Sequence, residues 1–120
     1  MFSAKNKKRI RMKIKKLKRR FKVGIKKDIE IKHIANIYLN SNEQVTFFSK
    51  KKREYDFVKK DWGYYATSSI NSRLKKFNFL TCLIKNKLIK KLFIVVVYKE
   101  KLNLFRKYLK KEKLKVVSWL

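Results

Sequence analysis

Apolar and polar positions change their period several times along this chain. In residues 1–27, Ile10, Ile14, Leu17 and Phe21 recur at helical spacing and almost every other position is cationic, which predicts a basic arm with one apolar helical face. With no acid to relieve like charges one turn apart, one reading has the arm loosely ordered alone and helical on a polyanion; the competing readings are a solvated charged helix packed through Ile10, Ile14, Leu17 and Phe21, or a plain disordered tail. From Asp28 the period becomes two. Ile29, Ile31, His33, Ala35, Ile37 and Leu39 alternate along one face, which predicts a strand over 29–39. Asn40, Ser41 and Asn42 supply turn chemistry. Strands over 44–49 and 54–58, joined by a polar loop over 50–53, complete an expected antiparallel meander.

An aromatic turn of Asp61, Trp62, Gly63, Tyr64 and Tyr65 follows, and then a predicted helix over 69–77 with Asn78 suited to its C-terminus. Strands over 79–84 and 88–98 flank a turn at 85–87. Within the second, residues 93–97 are apolar on both faces, which predicts a central strand. A helix over 99–113 carries Leu102, Phe105 and Leu109 on one stripe with Leu104 and Tyr108 beside it. A closing strand covers 115–119. The fold expected is α+β, a mostly antiparallel sheet in the order β-β-β-α-β-β-α-β with helices on one face. It forms a single domain over 28–120, preceded by the arm at 1–27.

Composition adds a core and a partner class. An apolar fraction of 45%, with 9 Phe, 6 Tyr and 2 Trp in 120 residues, is enough for one modest core. The charge is +28, from 36 Lys and Arg against 8 Asp and Glu. The abundance of Lys, Asn, Ile, Phe and Tyr fits an AT-rich genome, but acidic codons tolerate that bias too, so codon usage does not explain the deficit of acids. Self-repulsion at this charge opposes compaction, which points to an anionic partner, RNA or another polyanion. Half of the charge lies in the arm, with 10 Lys and 4 Arg and no acid.

A single cysteine, Cys82, excludes an internal disulfide. The longest apolar run is far shorter than a membrane span, and the basic N-terminus lacks a following apolar stretch, so the expected location is cytoplasmic. An anionic membrane surface is the weaker partner, reached through the arm's basic apolar stripe.

Three constellations carry candidate chemistry. Thr67, Ser68, Ser69, Asn71 and Arg73 place hydroxyls, an amide and a guanidinium around the expected helix start, where N–H groups and the dipole attract a phosphate or carboxylate. The competing reading has Ser68 or Ser69 capping the helix and Arg73 pairing with Asp61 or Asp56. Trp62, Tyr64 and Tyr65 beside Lys59, Lys60, Lys75 and Lys76 interleave rings with cations, as surfaces that stack bases and follow a phosphate backbone do. The competing reading places those rings in the core. In the arm, Lys7, Lys8, Arg9, Arg11, Lys15, Lys16, Lys18, Arg19 and Arg20 are the backbone-neutralising cations.

His33, sharing a face with Ile31 and Ala35, reads as a satisfied core residue, and Cys82 as an inert buried thiol. Glu54 and Asp56 read as ion-paired. One His, one Cys and scattered acids supply no metal site, and no phosphate-loop, dinucleotide or nucleophile-elbow signature occurs, so no cofactor is implied.

The segment YDFVKKDWGYYATSSINSRLKKFNF, with SNEQVTF before it and KVVSWL at the end, resembles a small bacterial family. Its core reads Y-D-x-x-x-K-x-W-G-[FY]-Y-A-T-x-S-[IL]-N-x-R-L, and the likeness covers about 29–120. This chain departs from it at Ser68, where the family has Pro, and at Ser72, where it has Gly. The family has no assigned activity and often accompanies surface-polysaccharide genes. The resemblance therefore implies a cytosolic accessory protein or enzyme of polysaccharide or nucleotide-sugar metabolism, holding a phosphorylated ligand at the turn from Thr67 to Arg73. Charge points instead to a small non-enzymatic protein that binds RNA or another polyanion, mainly electrostatically.

Overall fold

The computed structural model describes residues 13–50 and 53–120, so Lys7, Lys8, Arg9, Ile10 and Arg11 lie outside the described residues. Among the described residues the fold is α+β and mostly antiparallel, with eight strands and two α-helices in the order β-β-β-β-β-α-β-β-α-β and three separate sheets in place of the expected one. Contacts group the chain into two compact units that divide between Thr67 and Ser68.

The first unit holds two sheets. In one, β1 (Lys13–Val23) pairs antiparallel with β2 (Ile29–Tyr38). The described part of the arm is therefore a strand and not the expected helix. Its pairing with β2 shifts register between Lys16 and Arg19. Ile14 opposes Ile37, and Phe21 opposes Ile31, so both lie on the face that carries Ile29, Ile31, His33, Ala35 and Ile37. Seven residues separate Ile14 from Phe21, an odd number that would put them on opposite faces of a regular strand. The extra residue of a bulge restores them to one face. A seven-residue spacing is also two helical turns, which is why the pattern imitates a helix. At the loop, Gly24 takes φ 94° and its carbonyl accepts the Lys27 N–H at 3.1 Å.

The second sheet has the order β3-β4-β5: Gln44–Ser49, Arg53–Lys60 and Gly63–Ala66. β3 matches its expected span. β2 does not join this meander; its third member is β5, hidden in the sequence inside the aromatic turn. Lys60 pairs with Gly63 and Lys59 with Tyr64, leaving Asp61 and Trp62 as a two-residue hairpin turn. Gly63 holds φ +145°, a conformation side chains resist, although a Cβ there would meet nothing within 4 Å. Between β2 and β3, Asn42 takes a positive φ of 66°, and its N–H donates to the Lys59 carbonyl at 2.8 Å. One face of the sheet gathers Phe47, Tyr55 and Phe57, with ring centroids 6.0 and 5.0 Å from Phe57.

The second unit is built on the sheet β7-β6-β8, comprising Leu92–Tyr98, Phe79–Asn86 and Leu114–Trp119. The apolar run at 93–97 lies in an edge strand, whereas β6 is central. Apolarity on both faces records low charge, and pairing on both sides is a property of the partners. β6 carries the buried positions Phe79, Thr81, Cys82 and Ile84, joined in the core by Leu74 and Val97. The helix expected over 69–77 is a single turn, α1 (Arg73–Lys76), whose Leu74 is 1% exposed. Asn78 ends it at φ 61°. The turn expected at 85–87 falls later, because the Asn86 side chain accepts the Leu88 and Ile89 N–H groups at 2.8 and 3.1 Å. A 3-10 turn (Lys99–Lys101) leads into α2 (Leu102–Lys111). Leu102, Phe105 and Leu109 are half-buried while Leu104 and Tyr108 are exposed, so the narrower stripe faces the sheet. Phe105 meets Trp119 edge-on at 6.2 Å.

Candidate nucleic-acid interface

The β4–β5 hairpin brings rings and cations together at its turn. Antiparallel pairing sets Lys59 directly across from Tyr64, and the Lys59 ammonium lies 5.1 Å from that ring's centroid. Lys59 Nζ also donates to the Lys60 carbonyl at 2.8 Å, and Lys60 Nζ donates to the Asn42 side chain. Trp62, in the turn, stacks on Tyr65 with centroids 6.0 Å apart and planes 19° from parallel. These rings are not core: Trp62, Tyr64 and Tyr65 are 72%, 65% and 44% exposed. A short hairpin thus presents a stacked indole and phenol, a second phenol under an ammonium, and a further cation held by an amide. Planar π-faces flanked by cations can take stacked bases while the ammonium groups neutralise phosphates.

The remaining candidate cations fall elsewhere. Lys75 and Lys76 are exposed on α1 in the second unit, so the hairpin's own cations are Lys59 and Lys60. Lys15, Lys16, Lys18, Arg19 and Arg20 are exposed on β1. Arg19 lies 4.8 Å from the Phe21 centroid, and Arg20 reaches Glu30 at 3.8 Å, a solvent-exposed pair worth little.

The residues expected to hold a small anion are arranged differently. Thr67 closes the first unit, where its N–H donates to the Asp56 carbonyl at 3.1 Å and its hydroxyl to the Asp56 carboxylate at 3.5 Å. Asp56, 2% exposed, also accepts the Thr46 hydroxyl at 2.6 Å, so Thr67 faces a carboxylate. In the second unit, the Ser69 hydroxyl accepts the Arg73 N–H at 3.1 Å and Ser68 is buried, but the N-cap position is Ser72, whose side chain makes no capping bond, so neither Ser68 nor Ser69 caps the helix. Arg73 stacks over Phe77 at 5.7 Å, and Asn71 is exposed.

His33 is half-buried, with Nε2 3.0 Å from the Ala35 carbonyl. Cys82 is fully buried, and burial pushes its thiol up from the ordinary value. Among the described residues, no His, Cys, Asp and Glu side chains group to hold a metal, and no helix is long and apolar enough to cross a membrane. At this site sequence reasoning misses the edge strand β5, whose signal is Gly63 two residues after Asp61. Comparison of the chain with protein-family models, with curated proteins and with solved structures finds no match.

Proposed function

We propose that this protein is a small, non-enzymatic, basic module that binds RNA or a similar single-stranded polyanion. Cations supply most of the affinity, and the β4–β5 hairpin supplies a stacking platform. The observation that carries this reading is the exposed Trp62–Tyr65 stack beside Tyr64 and Lys59. Large rings left in water at a hairpin turn gain nothing from burial, whereas base stacking on such rings contributes about 1–3 kcal/mol per base. The charge of +28 supports the same partner, since phosphate neutralisation relieves the chain's self-repulsion.

The test is a filter-binding salt titration with single-stranded RNA and DNA, heparin and anionic vesicles. Affinity for the nucleic acids is expected to fall steeply with salt. The double substitution Lys59→Gln and Lys60→Gln is expected to flatten the slope by about 1.4, two phosphates at roughly 0.7 each on a single strand. Equal affinity for heparin and RNA, with no effect of the double substitution, refutes the hairpin's role. No binding to any polyanion refutes the whole reading.

A further inference from the structure

We propose that the outer edge of β7 takes up an extended segment of a partner protein, an apolar stretch flanked by acidic residues, added as a fourth strand to the second unit's sheet. Among the described residues, β7 has β6 on one side and no strand on the other. An edge strand ordinarily carries charges, a proline or a bulge that blocks further pairing. β7 has none of these: its seven residues, Leu92–Tyr98, are uncharged, in a chain where 36 of 120 residues are Lys or Arg. Leu92, Phe93 and Ile94 are 57%, 47% and 65% exposed.

Beside this strand, between it and α2, lies an open, mostly apolar cavity of 390 Å³ lined by residues 95–98 of β7 together with Lys101, Leu104, Phe105 and Tyr108. A strand added at the edge would point alternate side chains toward that side of the sheet, where the cavity can receive one. Main-chain hydrogen bonds then supply affinity, and the cavity supplies selectivity.

Charge decides the occupant. Lys90 and Lys91 precede the strand, Lys99 and Lys101 follow it, and Glu100 is the sole acid between 87 and 111. A second copy, paired antiparallel along the whole apolar run, would set Lys91 against Lys99 at both ends. Like charges opposed across strands are destabilising. A segment with acids at its two ends meets the same lysines favourably, so the edge fits an acid-flanked partner.

The probe is a fluorescein-labelled peptide, Glu-Glu-Val-Thr-Val-Thr-Val-Glu-Glu, titrated with the full chain by fluorescence anisotropy. Three peptides accompany it: one with lysines in place of the glutamates, and two N-methylated on alternate residues. A strand-adding peptide bonds to the edge through alternate residues only. One methylated form should therefore bind like the parent while the other is at least tenfold weaker, and the lysine form should not bind. Ile94→Lys and, separately, Leu92→Lys should each weaken the parent peptide at least tenfold at an unchanged melting temperature. Equal behaviour of the two methylated peptides, or binding indifferent to both substitutions, overturns the proposal. So does sedimentation showing a dimer that Ile94→Lys dissociates, which would give the edge to a second copy. None of these results depends on nucleic-acid binding.

Discussion

Replacing Trp62 with alanine separates a stacking platform from a merely cationic surface. Trp62 is 72% exposed, and its described ring partner is Tyr65 at 6.0 Å. Truncation therefore removes little buried area and at most one aromatic pair, about 0.5–1.5 kcal/mol of stability. If one base stacks on the indole, binding loses about 1–3 kcal/mol, a fall in affinity of roughly 5- to 150-fold at fixed salt. The side chain carries no charge, so the dependence of affinity on salt should keep its slope, while Lys59→Gln should lower the slope by about 0.7. Filter binding with single-stranded RNA across a range of salt concentrations reads affinity and slope together, and urea denaturation reads stability. Affinity within about twofold of the parent would refute the stacking role, since the smallest stacking contribution is larger than that. A change in slope for Trp62→Ala would show that the substitution disturbs the cation array itself.

Two further outcomes test the packing. Leu74→Ala should destabilise the second unit by about 2–5 kcal/mol, because the side chain is 1% exposed on a one-turn helix held largely by this contact; urea unfolding with an unchanged denaturant slope would show it, and a loss below about 1 kcal/mol would contradict the assignment. Cys82, opposite Val95 and Trp119 in the central strand, has its thiol raised by burial. A folded-state value above the unfolded one stabilises the protein at pH below the unfolded value, and that contribution is lost as pH rises through the folded value. Stability of the parent relative to Cys82→Ala should accordingly fall above about pH 8.5, and native protein should react slowly with a disulfide reagent until denatured; rapid native labelling would contradict the burial.

Local chemistry was legible in the sequence wherever it was self-sufficient. The alternation from Ile29, the run from Gln44 to Ser49, the turn at Asn42 and the stop at Asn78 need only side-chain period and left-handed backbone preferences, and each stands where the pattern put it. The α+β class follows from the same periodicities. The basic surplus is likewise a property of composition alone.

Tertiary structure decided what depends on which segments meet. Ile14 and Phe21 share a face only because β1 bulges against β2, and seven residues count the same for a helix and for a bulged strand. Ser69, Asn71 and Ser72 are weak helix formers, so burial of Leu74 sustains a single turn where amphipathic spacing predicted two. Whether Trp62, Tyr64 and Tyr65 are core or surface turned on Gly63 opening a four-residue strand, β5, and holding the rings at a hairpin's end. The apolar run of β7 sits at an edge because β6 pairs with both β7 and β8. Side-chain period belongs to one segment and is written in it; a strand's neighbours are chosen by every segment competing for its hydrogen bonds, and no single stretch of residues records that choice.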